Sequence, residues 1–227
     1  PKEQATKFRA LVARGNYLSI DRSDIRQSVK ELSRKMAKPR QIDQQNLIRL
    51  ARFLKDRPRV VCHFDYQKVW KIFDIWTETD HAGCIEGRKS TNGGIVMFGN
   101  NMIKHWSSTQ TVISVSSGEA EYYGCVRAGS HGLGIKSMLG DLGVKEKRLR
   151  IKTDASVAKS LASRRGLGGI RHIEVNQLWI QDKVAKGEVN ILKIGTTENL
   201  ADHLTKYLNS EGILEHMNGT GQWHEEG

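Results

Sequence analysis

The order of strand and helix signals after Pro58 constrains the fold of this chain most strongly. Val69–Thr77 alternates in polarity and is rich in aromatic and β-branched residues, which predicts a strand. Turn signals at Asn92–Gly94 and Gly99–Asn101 bound two further apolar segments, so we expect three antiparallel strands. The later predicted elements are a helix opened by Ser116, a strand at Leu149–Thr153, helices at Val157–Leu161 and Ile173–Val184, a strand at Val189–Ile194 and a helix at Leu200–Leu208. A strand meander followed by alternating helices and strands predicts an α/β fold.

The first 58 residues differ from the rest in pattern and in charge. Apolar residues recur there at helical spacing, with Ser23 as a predicted N-cap and Pro39 and Pro58 as helix ends. We expect their apolar faces to form a small helical core. This segment holds 15 Lys and Arg against 6 Asp and Glu, whereas residues 59–227 hold 21 against 19. Concentrated positive charge is typical of a surface that binds a polyanion, first of all nucleic acid, and a solvated helix surface is the alternative.

Several classes of protein are excluded by simpler features of the sequence. No apolar run is long enough for a transmembrane helix or a signal-peptide core. The three cysteines, Cys62, Cys84 and Cys125, are far apart, which argues against a disulfide scaffold or a Cys-rich zinc site. We therefore expect an intracellular protein, cytoplasmic or nuclear, with a helical segment at 1–58, an α/β domain at 59–208 and a disordered tail at 209–227.

Acidic residues fall where strands end and helices begin. Glu78 and Asp80 end the first strand, Glu121 lies in the first turns of the capped helix, Asp154 ends the fourth strand, and Asp202 lies near the start of the last helix. Such positions point into a common crevice of an α/β layer. Carboxylate oxygens alone suit Mg²⁺ or Mn²⁺, and two such ions form an arrangement used in phosphodiester chemistry. Taken singly, each acid is more typical of a solvated surface or a helix cap.

Motifs along the chain carry a specific resemblance. Residues 78–93 (ETDHAGCIEGRKSTNG) and 111–123 (TVISVSSGEAEYY) resemble the D-x-D-W-A-G…R-K-S-T-S-G and T-V-x-L-S-S-x-E-A-E-Y segments of copia-type LTR retrotransposon Pol polyproteins. Residues 151–154 (IKTD), 171–174 (RHIE) and 198–206 (ENLADHLTK) resemble that family's next three motifs in the same order. Residues 6–57 resemble the thumb and connection at the end of its reverse transcriptase.

The resemblance implies a ribonuclease H-like domain, with a five-stranded mixed sheet flanked by helices, preceded by a small basic helical segment. It implies cleavage of the RNA strand of RNA–DNA hybrids, with two Mg²⁺ ions, or Mn²⁺ as a substitute, at four catalytic carboxylates. These carboxylates are Glu78, Glu121, Asp154 and Asp202. The implied partners are the hybrid and the rest of the reverse transcriptase and Pol polyprotein, with no membrane. The paired-Asp motif of a polymerase palm is absent, so no polymerase activity is expected from this chain.

The predicted nucleic-acid contacts come from two places. They are Arg88, Lys89, Ser90 and Thr91 after the first strand, and Arg49 and Arg52 on the helical segment. A charged hairpin loop is the alternative reading of the first group. Glu119 is interpreted as the capping-box acid of the long helix, and His172 as either a packing or a catalytic residue.

Two functions from different classes stay open. The first is a working ribonuclease H. The second is a hybrid-binding module that has lost catalysis, because position 78 is Glu where the family has Asp, and metal geometry tolerates little displacement. A zinc-dependent integrase or protease fragment is disfavoured, since the eight His show no His/Cys ligand spacing.

Overall fold

The computed structural model describes residues 2–68, 72–84, 86–144, 148–168 and 172–225. Its helices are α1 (Lys2–Leu18), α2 (Ser23–Ser33), α3 (Gln41–Asp56), α4 (Ser117–Asp141), α5 (Ser156–Ser163), α6 (Trp179–Ala185) and α7 (Ser210–Gly219). Its strands are β1 (Arg59–Cys62), β2 (Ile72–Asp80), β3 (Thr91–Phe98), β4 (Asn101–Thr109), β5 (Arg148–Thr153), β6 (Val189–Lys193) and β7 (Gln222–Glu225). Short 3₁₀ turns occupy Val175–Gln177, Thr196–Glu198 and Asp202–Leu204. Within these residues, no helix is both long and apolar enough to cross a membrane.

Five strands form the central sheet in the order β4-β3-β2-β5-β6. β2, β3 and β4 are antiparallel neighbours, whereas β5 runs parallel to both β2 and β6. This arrangement confirms the predicted α/β fold class, a five-stranded mixed sheet flanked by helices. The predicted strand Val69–Thr77 is described only from Ile72 and continues to Asp80.

Helix α4 covers one face of the sheet, and its glycines allow the close approach. A Cβ atom at Gly132 would lie 2.5 Å from Leu149 Cδ2, and one at Gly129 would lie 2.7 Å from Ile180 Cδ1. Glycine weakens a helix interior, yet α4 is continuous over 25 residues. The glycines therefore lower the helix propensity of α4, but they allow it to pack closely against the core beneath it.

The predicted turn at Asn92–Gly94 is wrong, because these residues lie inside β3. Gly93 pairs with Glu78 of β2. A Cβ atom at Gly94 would lie 2.0 Å from Trp106 Cζ2, so the indole ring occupies the space of the missing side chain. A glycine in a strand can mark close packing rather than a turn, and local sequence does not distinguish the two.

The C-terminal predictions also need correction. Where a helix was expected over Leu200–Leu208, the structure has only the 3₁₀ turn Asp202–Leu204, and the helix expected over Ile173–Val184 is reduced to a 3₁₀ turn and α6. Residues 209–227 were expected to be disordered, but α7 and β7 lie there. β7 pairs with β1 in an antiparallel two-stranded sheet. This partner is about 160 residues away in sequence, which local patterns do not reveal.

The first three helices form their own core, as predicted, from Phe8, Val12, Ile25, Val29, Leu32, Leu47 and Leu50. Ser23 begins α2, but its side chain does not cap the helix and instead bonds Gln222. The helical segment also contacts the sheet domain directly. Lys30 Nζ donates a hydrogen bond to Thr91 Oγ1 at 2.6 Å, and Gln27 Nε2 donates one to the Thr205 carbonyl at 3.2 Å. α2 thus packs on the sheet face opposite α4.

Candidate active site

Three of the predicted carboxylates come together at one end of the sheet. Glu78 comes from β2, Glu121 from the first turns of α4, and Asp154 follows β5 directly. One carboxylate oxygen from each lies within 4.8 Å of the others. β2 and β5 are adjacent parallel strands, so residues near their carboxyl ends meet at the same edge, and α4 begins beside them.

Glu78 is held in this cluster by a buried amide. Its Oε2 accepts a hydrogen bond from Asn199 Nδ2 at 2.6 Å, and the same nitrogen lies 3.1 Å from the Thr77 carbonyl oxygen. Burial raises the pKa of Glu78 to about 7, with further contributions from Asp154 and Asp202. Although Glu is one methylene longer than Asp, its carboxylate reaches the cluster.

Glu121 is the most deeply buried of the three acids. Its Oε1 accepts a hydrogen bond from the Thr79 N–H at 2.8 Å, and its Oε2 accepts one from Thr153 Oγ1 at 3.4 Å. Burial, followed by the charges of Glu78 and Asp154, raises the pKa of Glu121 to about 9. A bound cation would favour the ionised form of these buried carboxylates. Their all-oxygen donor set fits Mg²⁺ or Mn²⁺.

Asp202 lies beside the cluster rather than within it. It begins the 3₁₀ turn Asp202–Leu204, and its Oδ1 is 2.6 Å from Lys206 Nζ. Its negative charge helps to raise the pKa of Glu78. Lys206, four residues further along the chain, therefore neutralises the charge of Asp202, the fourth predicted carboxylate.

Asp80 does not take the place of Glu78 in the carboxylate cluster. The buried Asn199, which contacts Glu78, was not predicted from the sequence. Asp80 shares the sheet face of Glu78, but it lies outside the group of three carboxylates and pairs across the strands with Thr91. Asn199 is fully buried. It lies three residues before Asp202 in the segment 198–206 that carries the resemblance, and that motif is the only sequence signal for its role.

The predicted contacts after β2 divide into two pairs. Arg88 is exposed and has a positive φ of 49°, and Lys89 Nζ donates a hydrogen bond to the Thr111 carbonyl at 2.7 Å. Ser90 and Thr91 are 0% and 2% exposed. Their hydroxyl groups are bonded within the protein, Ser90 to the Ala82 N–H at 3.1 Å. Ser90 and Thr91 therefore hold the loop, whereas Arg88 faces solvent.

Arg49 and Arg52 lie on α3, a helix that carries none of the predicted carboxylates. Both are exposed on α3, which packs against α1 and α2. Part of the remaining positive charge of the helical segment is paired internally, since Lys35 Nζ and Arg40 Nη1 lie 2.6 and 3.2 Å from oxygens of Glu86.

Glu119 and His172 form a separate pair. Glu119 is 1% exposed, and its carboxylate accepts hydrogen bonds from Tyr123 Oη at 2.8 Å and from the Val115 N–H at 3.1 Å. His172 Nε2 lies 2.8 Å from the same carboxylate. Ser116 Oγ accepts a hydrogen bond from the Glu119 N–H at 3.2 Å, as in a helix cap. These partners lower the pKa of Glu119 against the effect of burial, and they tie His172 to the helix start rather than to the cluster.

Sequence comparison finds relatives among transposon proteins. The chain is 30% identical over 207 residues to the retrovirus-related Pol polyprotein from transposon RE1 of Arabidopsis thaliana, covering 89% of this chain and 14% of that protein. It is 33% identical over 136 residues to the one from transposon TNT 1-94 of Nicotiana tabacum, covering 60% of this chain and 10% of that protein. The chain thus spans a small part of each relative. No protein-family model matches it.

Solved structures with a similar fold include LC11-RNase H1, isolated from compost by a metagenomic approach. That match has 16% identity and a TM-score of 0.41, and it covers 63% of this chain and 96% of that chain. LC11-RNase H1 in complex with an RNA/DNA hybrid matches with 18% identity and a TM-score of 0.40, covering 59% and 93%. The fold class rests on the strand order and directions described above. By its sequence relatives, the chain is homologous to part of the copia-type, retrovirus-related Pol polyproteins of plant transposons.

Proposed function

We propose that this chain is the ribonuclease H of a retrotransposon Pol polyprotein and hydrolyses the RNA strand of RNA–DNA hybrids. The observation that carries the proposal is the cluster of Glu78, Glu121 and Asp154, whose oxygens lie within 4.8 Å of one another. Two of these acids are buried with strongly raised pKa values, and the relatives of the chain are Pol polyproteins. Its partners would be the hybrid and the rest of the polyprotein.

The residues of the chain would act by holding and orienting charge. Glu78, Glu121 and Asp154 would hold divalent ions, with Asp202 as a fourth ligand once Lys206 releases it. When bound, the ions would activate water and stabilise the leaving oxygen. Asn199 orients the Glu78 carboxylate, and the Thr79 N–H orients that of Glu121. Arg88, exposed beside the site, would contact substrate phosphates.

A hybrid-binding module without catalysis is the second candidate, and the Glu at position 78 is the observation that favours it. A carboxylate displaced from its metal position can bind an ion without supporting the reaction. Against this, Glu78 Oε2 is fixed by a 2.6 Å hydrogen bond and its carboxylate still reaches the other two acids. This geometry supports the working enzyme.

Cleavage of a labelled RNA–DNA hybrid separates the two candidates. The wild-type chain, Asp154→Asn and Glu78→Asp are assayed with Mg²⁺ and then with Mn²⁺. Asp56→Asn, an exposed acid on α3, is the matched control for loss of one carboxylate. We expect metal-dependent cleavage by the wild type and the control, and none by Asp154→Asn. Cleavage by Glu78→Asp alone would support the binding module, and no cleavage by any folded variant would overturn the proposal.

A further inference from the structure

A polar cavity, lined by basic residues rather than acids, lies between α1, α2 and the edge strand β4. Its volume is 330 Å³, and it opens to solvent. Its walls include Ser19, Ser33, Arg26, Lys30, Arg34 and Ser107. No carboxylate is among the described residues that line it. The cavity therefore concentrates positive charge at a place that the proposed reaction does not use.

The spacing of three cations along α2 creates this charge. Arg26, Lys30 and Arg34 follow one another at intervals of four residues, so they share one helix face. Glu31 neutralises only part of the charge, with oxygens 2.5 Å from Lys30 Nζ and 3.1 Å from Arg34 Nη1. In the part of the chain that the structure describes, no carboxylate lies within 4.0 Å of the Arg26 guanidinium. Burial lowers the pKa of both Arg26 and Lys30, which shows that both cations are desolvated.

Two buried polar atoms at the cavity lack a hydrogen-bond partner among the described residues. They are Arg26 Nε and the Ser107 hydroxyl. Ser107 is only 7% exposed, and Arg26 Nη1 is fixed by a 2.8 Å hydrogen bond to Ser19 Oγ. A buried polar group without a partner costs about 1–3 kcal/mol, and more when charged. A group with several negatively charged acceptor oxygens would satisfy both atoms at once.

We propose that this cavity binds a phosphate group, and that a backbone phosphate of the bound nucleic acid supplies it. An oxyanion gains charge-assisted hydrogen bonds from a guanidinium fork, an ammonium and a hydroxyl group. The source of the phosphate rests on the proposed nucleic-acid substrate, but the site does not depend on cleavage.

The sheet register connects this cavity to the carboxylates. Ser107 pairs with Gly93 of β3, and Gly93 pairs with Glu78 of β2. Two strand spacings separate the Cα atoms of Ser107 and Glu78 by about 10 Å. Lys30 is a second connection between the cavity and this end of β2, since it donates a hydrogen bond to Thr91, the strand partner of Asp80. One bound strand can therefore contact the cavity while another of its phosphates lies near the carboxylates.

The test measures binding with the full chain carrying Asp154→Asn, so that cleavage does not interfere. Dissociation constants for an RNA–DNA hybrid are determined over a range of KCl concentrations, and inorganic phosphate is titrated separately by calorimetry. Arg26→Gln removes one of the three cations at the cavity, the one without a carboxylate partner in the described part of the chain. Arg14→Gln, an exposed arginine of α1, is the control for loss of one charge. Ser107→Asp adds a carboxylate to the cavity wall that holds Arg26. It breaks no hydrogen bond of Ser107, because the Ser107 hydroxyl has no partner among the described residues.

We expect Arg26→Gln and Ser107→Asp to weaken hybrid binding about tenfold and to reduce the salt slope by about one, whereas Arg14→Gln changes neither by more than about twofold. Inorganic phosphate should bind the parent chain and not Arg26→Gln. Phosphate binding that depends on Arg26, with unchanged hybrid affinity, would support the site and overturn its nucleic-acid source. Equal behaviour of Arg26→Gln and Arg14→Gln in both titrations, with Ser107→Asp also unchanged, would overturn the site. A wild-type chain that fails to cleave would contradict the proposed function alone.

Discussion

Replacing Glu121 by Gln should stabilise the metal-free protein while it abolishes cleavage. Burial raises the pKa of this acid from 4.5 to about 9. At pH 7 the folded state therefore keeps a proton that the unfolded state has released. The folded state loses stability as pH rises from the unfolded pKa towards the folded one, and Gln, which resembles the protonated acid, removes this loss.

The size of the effect follows from the interval between pH 4.5 and pH 7. At about 1.4 kcal/mol per pH unit, the loss at pH 7 is about 3.5 kcal/mol. This value is an upper limit, because Glu78 and Asp154 titrate together with Glu121. For a chain of this size, it corresponds to a rise in Tm of up to about 7–14 °C for Glu121→Gln in EDTA.

Thermal unfolding followed by circular dichroism, in EDTA between pH 5 and pH 9, measures this effect. The matched control is Glu119→Gln, two residues earlier on α4 and also buried. Hydrogen bonds from His172 and Tyr123 lower the pKa of Glu119, so its replacement should lower Tm at pH 7. Added Mg²⁺ should stabilise the wild type and narrow its gap to Glu121→Gln. A lower Tm for Glu121→Gln in EDTA at pH 8 would refute the electrostatic reasoning.

Three further predictions concern packing, positioning and binding. Gly94→Ala should destabilise the protein by about 2 kcal/mol or more, because its Cβ would overlap Trp106. Gly134→Ala, in open space on α4, should stabilise it by up to about 1 kcal/mol. Urea unfolding of the two variants measures both free-energy changes. Asn199→Ala should lower kcat for hybrid cleavage about 100-fold with little change in KM, because the Glu78 carboxylate loses its 2.6 Å hydrogen bond. An unchanged kcat would contradict the role of Asn199 in positioning Glu78. Arg88→Gln should weaken hybrid binding at low salt more than at high salt, as measured by fluorescence anisotropy.

The sequence predicted the sheet and the cluster of acids because these depend on local patterns and on motifs. Glu78, Glu121 and Asp154 follow from where strands end and a capped helix begins, and the structure brings their oxygens together. Asp202 was predicted on the same grounds, by its position and by the resemblance, but the structure places it beside this group, paired with Lys206.

What the sequence did not reveal depends on distant partners. Gly93 and Gly94 were predicted to form a turn, but they lie in a strand, where Leu204 packs against Gly93 and Trp106 against Gly94. Ser90 was expected to face substrate, but its hydroxyl bonds Ser114, 24 residues away. Neither contact leaves a periodic signal in the sequence, since the partner belongs to another element.

The pairing of β1 with β7 ties the C-terminal segment to the strand that directly follows the helical segment. Four residues of each strand pair, from Arg59 with Glu225 to Cys62 with Gln222. Gln222 also bonds Ser23 and the Asp21 carbonyl at the start of α2. A protease that removed the residues after 208 would expose the edge of β1 and loosen α2, the helix that carries Arg26, Lys30 and Arg34. Removal of the C-terminal segment would therefore weaken the proposed phosphate site on α2 and leave the carboxylate cluster in place.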